Sequence, residues 1–328
     1  MNETLSALEK RTKLCFDPFT VVTIAICTRN RAQPLKKALS SLVAQLTPEA
    51  EILVVDTSSK DETPDVVARL AAEGRRIRYA REDRRGIALA RNRALEEARG
   101  AYVLFFDDDQ TAEPGWLQAY LKFFSNPPSL RVGCVGGPYI SRPDPPPPSW
   151  MAQDYGAFNL GGEQRVITGR AVLAGGNCAY QRESALKVGG FDPVIDRCED
   201  TEMNFRLRES GYEIWWLPDA RIRHWIDPER FRIGPQFRVS YGEGYSMALI
   251  RWRRIPSVGA RALFWAGRMV ITPAQLALQT IMGLLCLAAG SRRTTVNLLL
   301  RFGRTAGFAR QLSRLPFRPA NPAPSPLA

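Results

Sequence analysis

The sequence predicts an α/β protein: a mostly parallel, doubly wound sheet with helices on both faces, extended by a helical, basic tail. Three observations predict it. Short β-branched apolar runs alternate with segments of helical periodicity. The predicted strands end on polar or acidic residues, namely Thr28, Asp56 and Asp107. The charge is partitioned: residues 244–328 hold 12 Arg, no Lys and no acid, whereas everything before them sums to zero.

The elements follow in order. VVTIAICT (21–28) reads as a buried strand, and Pro34 suits the first turn of the helix carrying Leu35, Leu39 and Leu42. EILVVD (51–56) is a second buried strand, followed by a helix over Val66, Val67 and Leu70 and a short third strand at 77–80. GIALARNRAL (86–95) opens the next helix. AYVLFF (101–106) is a fourth buried strand and runs directly into Asp107, Asp108, Asp109 and Gln110. Three successive carboxylates beside an apolar core repel one another unless a cation compensates. A hard divalent cation shared with phosphate oxygens is the simplest one; a solvated acidic turn with one Asp as a helix cap is the plainer alternative. In parallel sheets ligands collect at the carboxyl ends of strands, where Thr28, Asp56 and Asp107 all fall. No GxGxxG or GxxxxGK loop follows the first strand, which argues against dinucleotide and P-loop folds.

Past a helix over Leu117, Tyr120 and Phe124 and a strand at 132–135, the proline-rich stretch 142–149 is a stiff surface loop, most simply a spacer, that divides a nucleotide half (about 20–140) from a second half (about 150–245). The glycines of AGGNCAYQR (174–182) allow backbone to approach a ligand closely, or equally form ordinary turns. CEDTEMNFRLRESG (198–211) reads as a helix with Met203 and Leu207 inward, Gly211 as its stop and acids crowding its first turn. Those acids complement the helix dipole, and one facing a cleft is also placed to act as a general base. His224 is the sole histidine. The six cysteines show no CxxC spacing, which fits a reducing compartment without disulfides or zinc. The first twenty residues hold no continuous apolar run, so no secretory signal is read there.

Together these stretches resemble the inverting family 2 glycosyltransferases of the Rossmann-like GT-A fold, over roughly residues 20–245. ICTRNR, ILVVDTSSKDET, GIALARNRAL, FFDDDQ, the 174–193 glycine segment, CEDTEMNF and DARIRH match in order, FFDDDQ as the DxD motif and CED as the ED motif. The look is that of bacterial exopolysaccharide transferases of the succinoglycan type. The resemblance implies a nucleotide-sugar donor, a saccharide or lipid-linked acceptor, and Mn or Mg as cofactor. It places Thr28, Arg29, Asp56, Arg91, Asn92, Asp107 and Asp108 on the donor, Asp108 with an open role. It gives Asp109, Asp107 and His224 to the metal, and Gly175, Gly176 and Asn177 to the acceptor. Asp200 becomes the base and Glu199 its support. Thr57 departs from a common second acid after Asp56, and the QxxRW motif of processive members is missing, which points to single-sugar addition.

The tail contains 23 uncharged residues at 269–291, with five Arg before them from position 251 and seven after. About 20 residues span a bilayer, but Arg on both sides opposes a single span and favours a monotopic helix on an anionic membrane surface. Residues 296–315 suit a helix lying in that interface, with a buried core helix that keeps a solvated face as the alternative. The expected place is the cytoplasmic face of the inner membrane, with residues 246–315 membrane-associated, 1–19 an extension and 316–328 a disordered proline-rich end. Three other readings compete. A sugar nucleotidyltransferase would need a glycine-rich loop that CTRNRAQPLKK lacks. A nucleic-acid binder would leave the three Asp unexplained, so no nucleic-acid partner is expected. A non-catalytic scaffold fits poorly with intact Asp107, Asp109 and Asp200.

Overall fold

The structure is a computed structural model that describes residues 20–315. The expectations for 1–19 and 316–328 lie outside the described residues. β1 (Val22–Thr28), β2 (Ala50–Asp56), β3 (Ile77–Arg81) and β4 (Tyr102–Phe106) form parallel neighbours in the order β3-β2-β1-β4. Helices α1 (Ala32–Val43), α2 (Thr63–Ala72) and α3 (Ile87–Glu97) connect them. Short β5 (Gln110–Ala112) and helix α4 (Trp116–Ser125) follow. The sheet then grows through β9 (Asn177–Gln181), β6 (Val132–Gly136), β10 (Glu213–Trp216) and β8 (Arg165–Val166), with β9 antiparallel between β4 and β6. Helices α5 (Arg182–Lys187) and α6 (Glu199–Glu209) lie in this half. β7 (Tyr139–Pro143) and β11 (Ile222–Ile226) join β5 in a second, three-stranded sheet ordered β5-β11-β7. Pro143 is tolerated there because β7 is an edge strand.

Alternation along each strand explains why helices cover both faces. Val22, Ile24 and Ile26 of β1 enter one core with Leu35 and Leu39 of α1 and Trp116 and Tyr120 of α4. Ala25, Leu53, Val55 and Phe105 point the other way, onto Ala94 and Leu95 of α3 and Met203 and Leu207 of α6. The strands are apolar on both faces, and this double burial is why they read as continuous apolar runs.

Three long helices follow among the described residues: α7 (Ile233–Arg253), α8 (Val258–Ala288) and α9 (Arg292–Leu312). The expected boundary near 245 falls inside α7. Residues 296–315, expected to lie in a membrane interface, pack instead against α7. Val296, Phe308 and Leu312 are buried there, and Phe308 and Leu312 share a core with Ala248 and Ile250. The two helices approach backbone to backbone: a Cβ on Gly244 would run into the Arg304 carbonyl, and one on Gly307 into the Tyr241 carbonyl. α8 differs. Its 31 residues continue through Pro273 and bury only Thr272, while Leu263, Val270, Leu278 and Leu285 are exposed. Among the described residues it is the one helix long and apolar enough to cross a membrane.

The α7–α9 crossing yields a test. Gly307→Ala is expected to destabilise the protein by about 1–3 kcal/mol through overpacking against backbone, read as a lower thermal midpoint. An unchanged midpoint would contradict the crossing.

Candidate active site

The parallel strands end at one edge of the sheet. Thr28 stands opposite Asp56 in the β1–β2 register, and β4 delivers Asp107, Asp108 and Asp109 beside them. Asp108 is buried: its Oδ2 accepts from Thr28 Oγ1 at 2.7 Å, and its Oδ1 lies 2.9 Å from Arg31 Nε. Burial pushes its carboxyl up to about 6, against the lowering effect of Arg31 and Thr28. Asp109 Oδ2 meets two guanidinium groups, Arg31 Nη2 at 3.2 Å and Arg230 Nη2 at 3.3 Å. The positive charge that three adjacent acids require is thus present in the chain.

The opposite wall comes from β9 and α6. β9 runs antiparallel to β4 with Phe106 opposite Asn177, so the loop before β9 lies on Asp107. A Cβ on Gly176 would collide with Asp107 Oδ2, and one on Gly175 with the Arg91 guanidinium. Glycine lets this backbone come so close to the two side chains as they stand. Arg91 is buried between the two walls, its guanidinium over the rings of Phe105 and Phe191. Its Nη1 lies 2.8 Å from Glu199 Oε1 and its Nη2 3.9 Å from Asp107 Oδ1. Burial opposes the charge on Arg91, but Glu199 and Asp107 outweigh it and raise its pKa. Burial likewise raises Glu199 and Asp107, each against the pull of Arg91. Asp107 is crowded by protein although 43% of its side chain faces the cleft.

Cys198 adopts a left-handed conformation (φ 62°) and starts α6 with Glu199 and Asp200 turned to the cleft loop. The Gly175 N–H donates to Asp200 Oδ2 at 2.8 Å, and the Thr201 N–H to Oδ1 at 2.6 Å. Asn204, one turn on, donates to the Asp200 carbonyl at 2.7 Å and accepts from the Leu173 N–H at 3.3 Å. The first turn of α6 is therefore bound to the glycine loop from both sides.

His224 arrives on β11, opposite Gln110 in β5, and the Trp225 N–H donates to the Asp109 carbonyl at 2.9 Å. His224 Nδ1 is 3.1 Å from the Gly156 carbonyl oxygen. A carbonyl can only accept, so Nδ1 carries a proton, and the ring turns its Nε2 towards Asp109 Oδ1, 3.7 Å away. This separation is too long for a hydrogen bond and suits two ligands of one ion. Among the described residues no three His, Cys, Asp or Glu side chains are grouped to hold a metal ion, so the expected set of Asp107, Asp109 and His224 does not form a three-ligand site. An ion at Asp109 and His224 would therefore complete its shell with substrate oxygens and water, as Mg and Mn do beside phosphates.

The structure thus gathers Asp107, Asp108, Asp109, His224, Arg91, Glu199, Asp200, Gly175 and Gly176 around one cleft. Thr28 reaches it through Asp108. Arg29 is nearby in sequence, its Nε buried without a hydrogen-bond partner among the described residues. Asp56 is fully buried at the strand end, one oxygen accepting from Ser59 and the other from the Tyr79 hydroxyl at 2.7 Å. Burial and this bond push Tyr79 up to about 12. Two expected contacts are not brought to the cleft. The Asn92 amide exchanges a pair of 2.7 Å hydrogen bonds with the Phe191 backbone. Asn177 accepts from Trp116 Nε1 and Tyr120 and donates to the carbonyls of Pro138 and Ala220. Both amides are engaged inside the fold. Sequence reading missed Arg31 and Arg230. The signal available was the acid triplet itself, whose need for positive charge the turn after β1 and the segment after His224 supply.

The family described as Glycosyl transferase family 2 matches residues 23–189. The chain is 23% identical over 239 residues to a glucosyl-dolichyl phosphate glucuronosyltransferase of Haloferax volcanii, covering 69% of this chain and 75% of that one. It is 26% identical over 245 residues to the succinoglycan biosynthesis protein ExoA of Rhizobium meliloti, covering 72% of each. Its fold resembles the mannosyltransferase PcManGT of Pyrobaculum calidifontis, solved with GDP-Man and Mn2+, at TM-score 0.61, 20% identity and 92% coverage of both chains.

Asn92→Ala should behave as a fold mutation. It leaves the buried Phe191 N–H and carbonyl without partners and is expected to lose about 2–4 kcal/mol of stability, measured by chemical denaturation. Full stability with lost ligand binding would instead return Asn92 to the cleft.

Proposed function

The chain belongs to glycosyl transferase family 2, and on that premise we propose a metal-dependent, inverting enzyme. It transfers a single sugar from a nucleotide-sugar to a saccharide or lipid-linked acceptor, in exopolysaccharide or cell-surface glycan synthesis. The observation that carries this reading is the pairing across the cleft. Asp109 Oδ1 and His224 Nε2 face each other on one wall. On the other, Asp200 is oriented by the Gly175 N–H.

Asp109 and His224 would hold a divalent ion, Mn or Mg, with Asp107 beside them. That ion, when bound, neutralises the charge developing on the departing nucleoside diphosphate. Thr28, Arg29 and Asp56 lie on the nucleoside side; Asp56 gives the β2 end a fixed shape through Ser59 and Tyr79. Asp108 ties β1 to the acid turn through Thr28. Arg91 holds Asp107 and Glu199 at a fixed spacing and keeps their charges compensated. Asp200 takes the proton of the acceptor hydroxyl, and the bare backbone of Gly175 and Gly176 lets the loop that orients Asp200 pack onto Arg91 and Asp107. One in-line displacement inverts the anomeric carbon. The names of the Haloferax and Rhizobium relatives, which mention a dolichyl phosphate and succinoglycan, support a lipid-linked or polysaccharide acceptor.

In this reading the enzyme works at a membrane surface. α8 exposes leucines along its length, with Arg261 and Arg268 before its most apolar part and Arg292 and Arg293 after it. A peripheral or monotopic attachment to the cytoplasmic face of the inner membrane puts those cations against anionic headgroups. Leu278→Glu with Leu285→Glu, both at exposed positions, is expected to move the protein from the membrane pellet to the soluble fraction with its thermal midpoint retained. Continued pelleting would remove α8 as the anchor.

The catalytic reading is tested with purified protein, a membrane lipid extract and UDP-, GDP- and dTDP-sugars, in Mn, Mg or EDTA. Release of one nucleoside diphosphate that EDTA abolishes is expected. Asp200→Asn should lower turnover by roughly 10²–10⁴-fold with donor binding retained. EDTA-insensitive transfer would overturn the metal assignment, and full turnover in Asp200→Asn the base assignment.

A further inference from the structure

Arg31 and Arg230 are positioned unlike ordinary surface arginines. They come from distant parts of the chain, the turn before α1 and the 3-10 turn Pro228–Phe231, and converge on one carboxylate oxygen, Asp109 Oδ2. Arg31 reaches Asp108 Oδ1 as well. Both side chains keep a solvent-facing side, being 34% and 44% exposed, whereas the acids they cover are 9% and 11% exposed. The arginines are the solvent-facing partners of these pairs and the acids the covered ones. Asp109 Oδ1, the oxygen turned to His224, meets neither guanidinium.

We propose that Arg31 and Arg230 are exchangeable counter-cations. They neutralise Asp108 and Asp109 before the donor arrives, and turn onto the donor's diphosphate when a divalent ion takes Asp109. This rests on the metal reading above. The reasoning is one of charge. A divalent ion on Asp109 brings two positive charges against two guanidinium groups already on the same side chain, and like charges at that spacing repel. The diphosphate brought with the ion offers oxygens that a guanidinium fork engages bidentately, with shorter and stronger bonds than to a screened carboxylate. Departure of the diphosphate reverses the exchange, so the acid turn is never left without compensation beside the core. The arginines thus oppose the metal when it binds alone and favour it with a nucleoside diphosphate, which makes the two ligands bind cooperatively.

The test measures free Mn2+ by electron paramagnetic resonance over full-length native protein, Arg31→Gln, Arg230→Gln and Asp109→Asn. Each is titrated alone and with UDP, GDP or dTDP. Both arginine variants should bind Mn2+ alone about fivefold more tightly, the upper end for a partly exposed ion pair, and lose most of the gain that the nucleotide gives native protein. Unchanged or weaker Mn2+ affinity in both, with native nucleotide coupling, would overturn the proposal while Asp109→Asn still reports a metal site. Equal binding by native protein and Asp109→Asn would overturn the metal reading and the proposal together. Should Arg31→Gln lose the native circular dichroism spectrum, Arg230→Gln decides alone.

Discussion

Three carboxylates in succession at the end of a buried strand need positive charge within reach, and much of this molecule is arranged to provide it. Asp107 leans on Arg91, Asp108 on Arg31 and Asp109 on Arg31 and Arg230. Those arginines come from three separate segments, the β1–α1 turn, α3 and the turn after β11. Each acid therefore fixes the approach of a different part of the chain to the strand end. The same compensation explains why the opposite wall can hold two more acids: Arg91 is shared, and Glu199 is buried on its far side. Without these cations, desolvation and mutual repulsion would keep the cluster protonated or pull it apart.

The second sheet makes sense in the same terms. β11 pairs with β5, which starts directly after the acid triplet, and this places His224 beside Asp109. The Gly156 carbonyl fixes the imidazole tautomer from behind. His224 Nε2 and Asp109 Oδ1 face each other at 3.7 Å, beyond hydrogen-bond reach.

Much of this was legible in the chain. The parallel strands, their order of appearance and the polar strand ends follow from double burial, which leaves apolar runs too plain to misread. Asp107, Asp109, Asp200 and His224 stood out because charge or a lone imidazole beside apolar runs needs a reason. Asn92 and Asn177 were misread for the opposite cause: a motif position fixes a residue type, while the direction of its amide depends on Phe191 or on Trp116 and Ala220, which are remote in sequence. Arg31 and Arg230 were missed because arginines are common and pairing over 78 or 121 residues leaves no local pattern. In the tail, the apolar length of α8 was visible. The burial of α9 was not, because it depends on glycines matched between two helices.

The central claim is that the acid turn and His224 hold a divalent ion against a nucleoside diphosphate. Anomalous diffraction from crystals grown with MnCl2 and the nucleoside diphosphate that the protein releases tests it most directly. The account predicts one manganese peak between Asp109 and His224, touching diphosphate oxygens, with Arg31 and Arg230 turned away from Asp109. Bound nucleotide without a manganese peak there, and with both arginines still on Asp109, would contradict it.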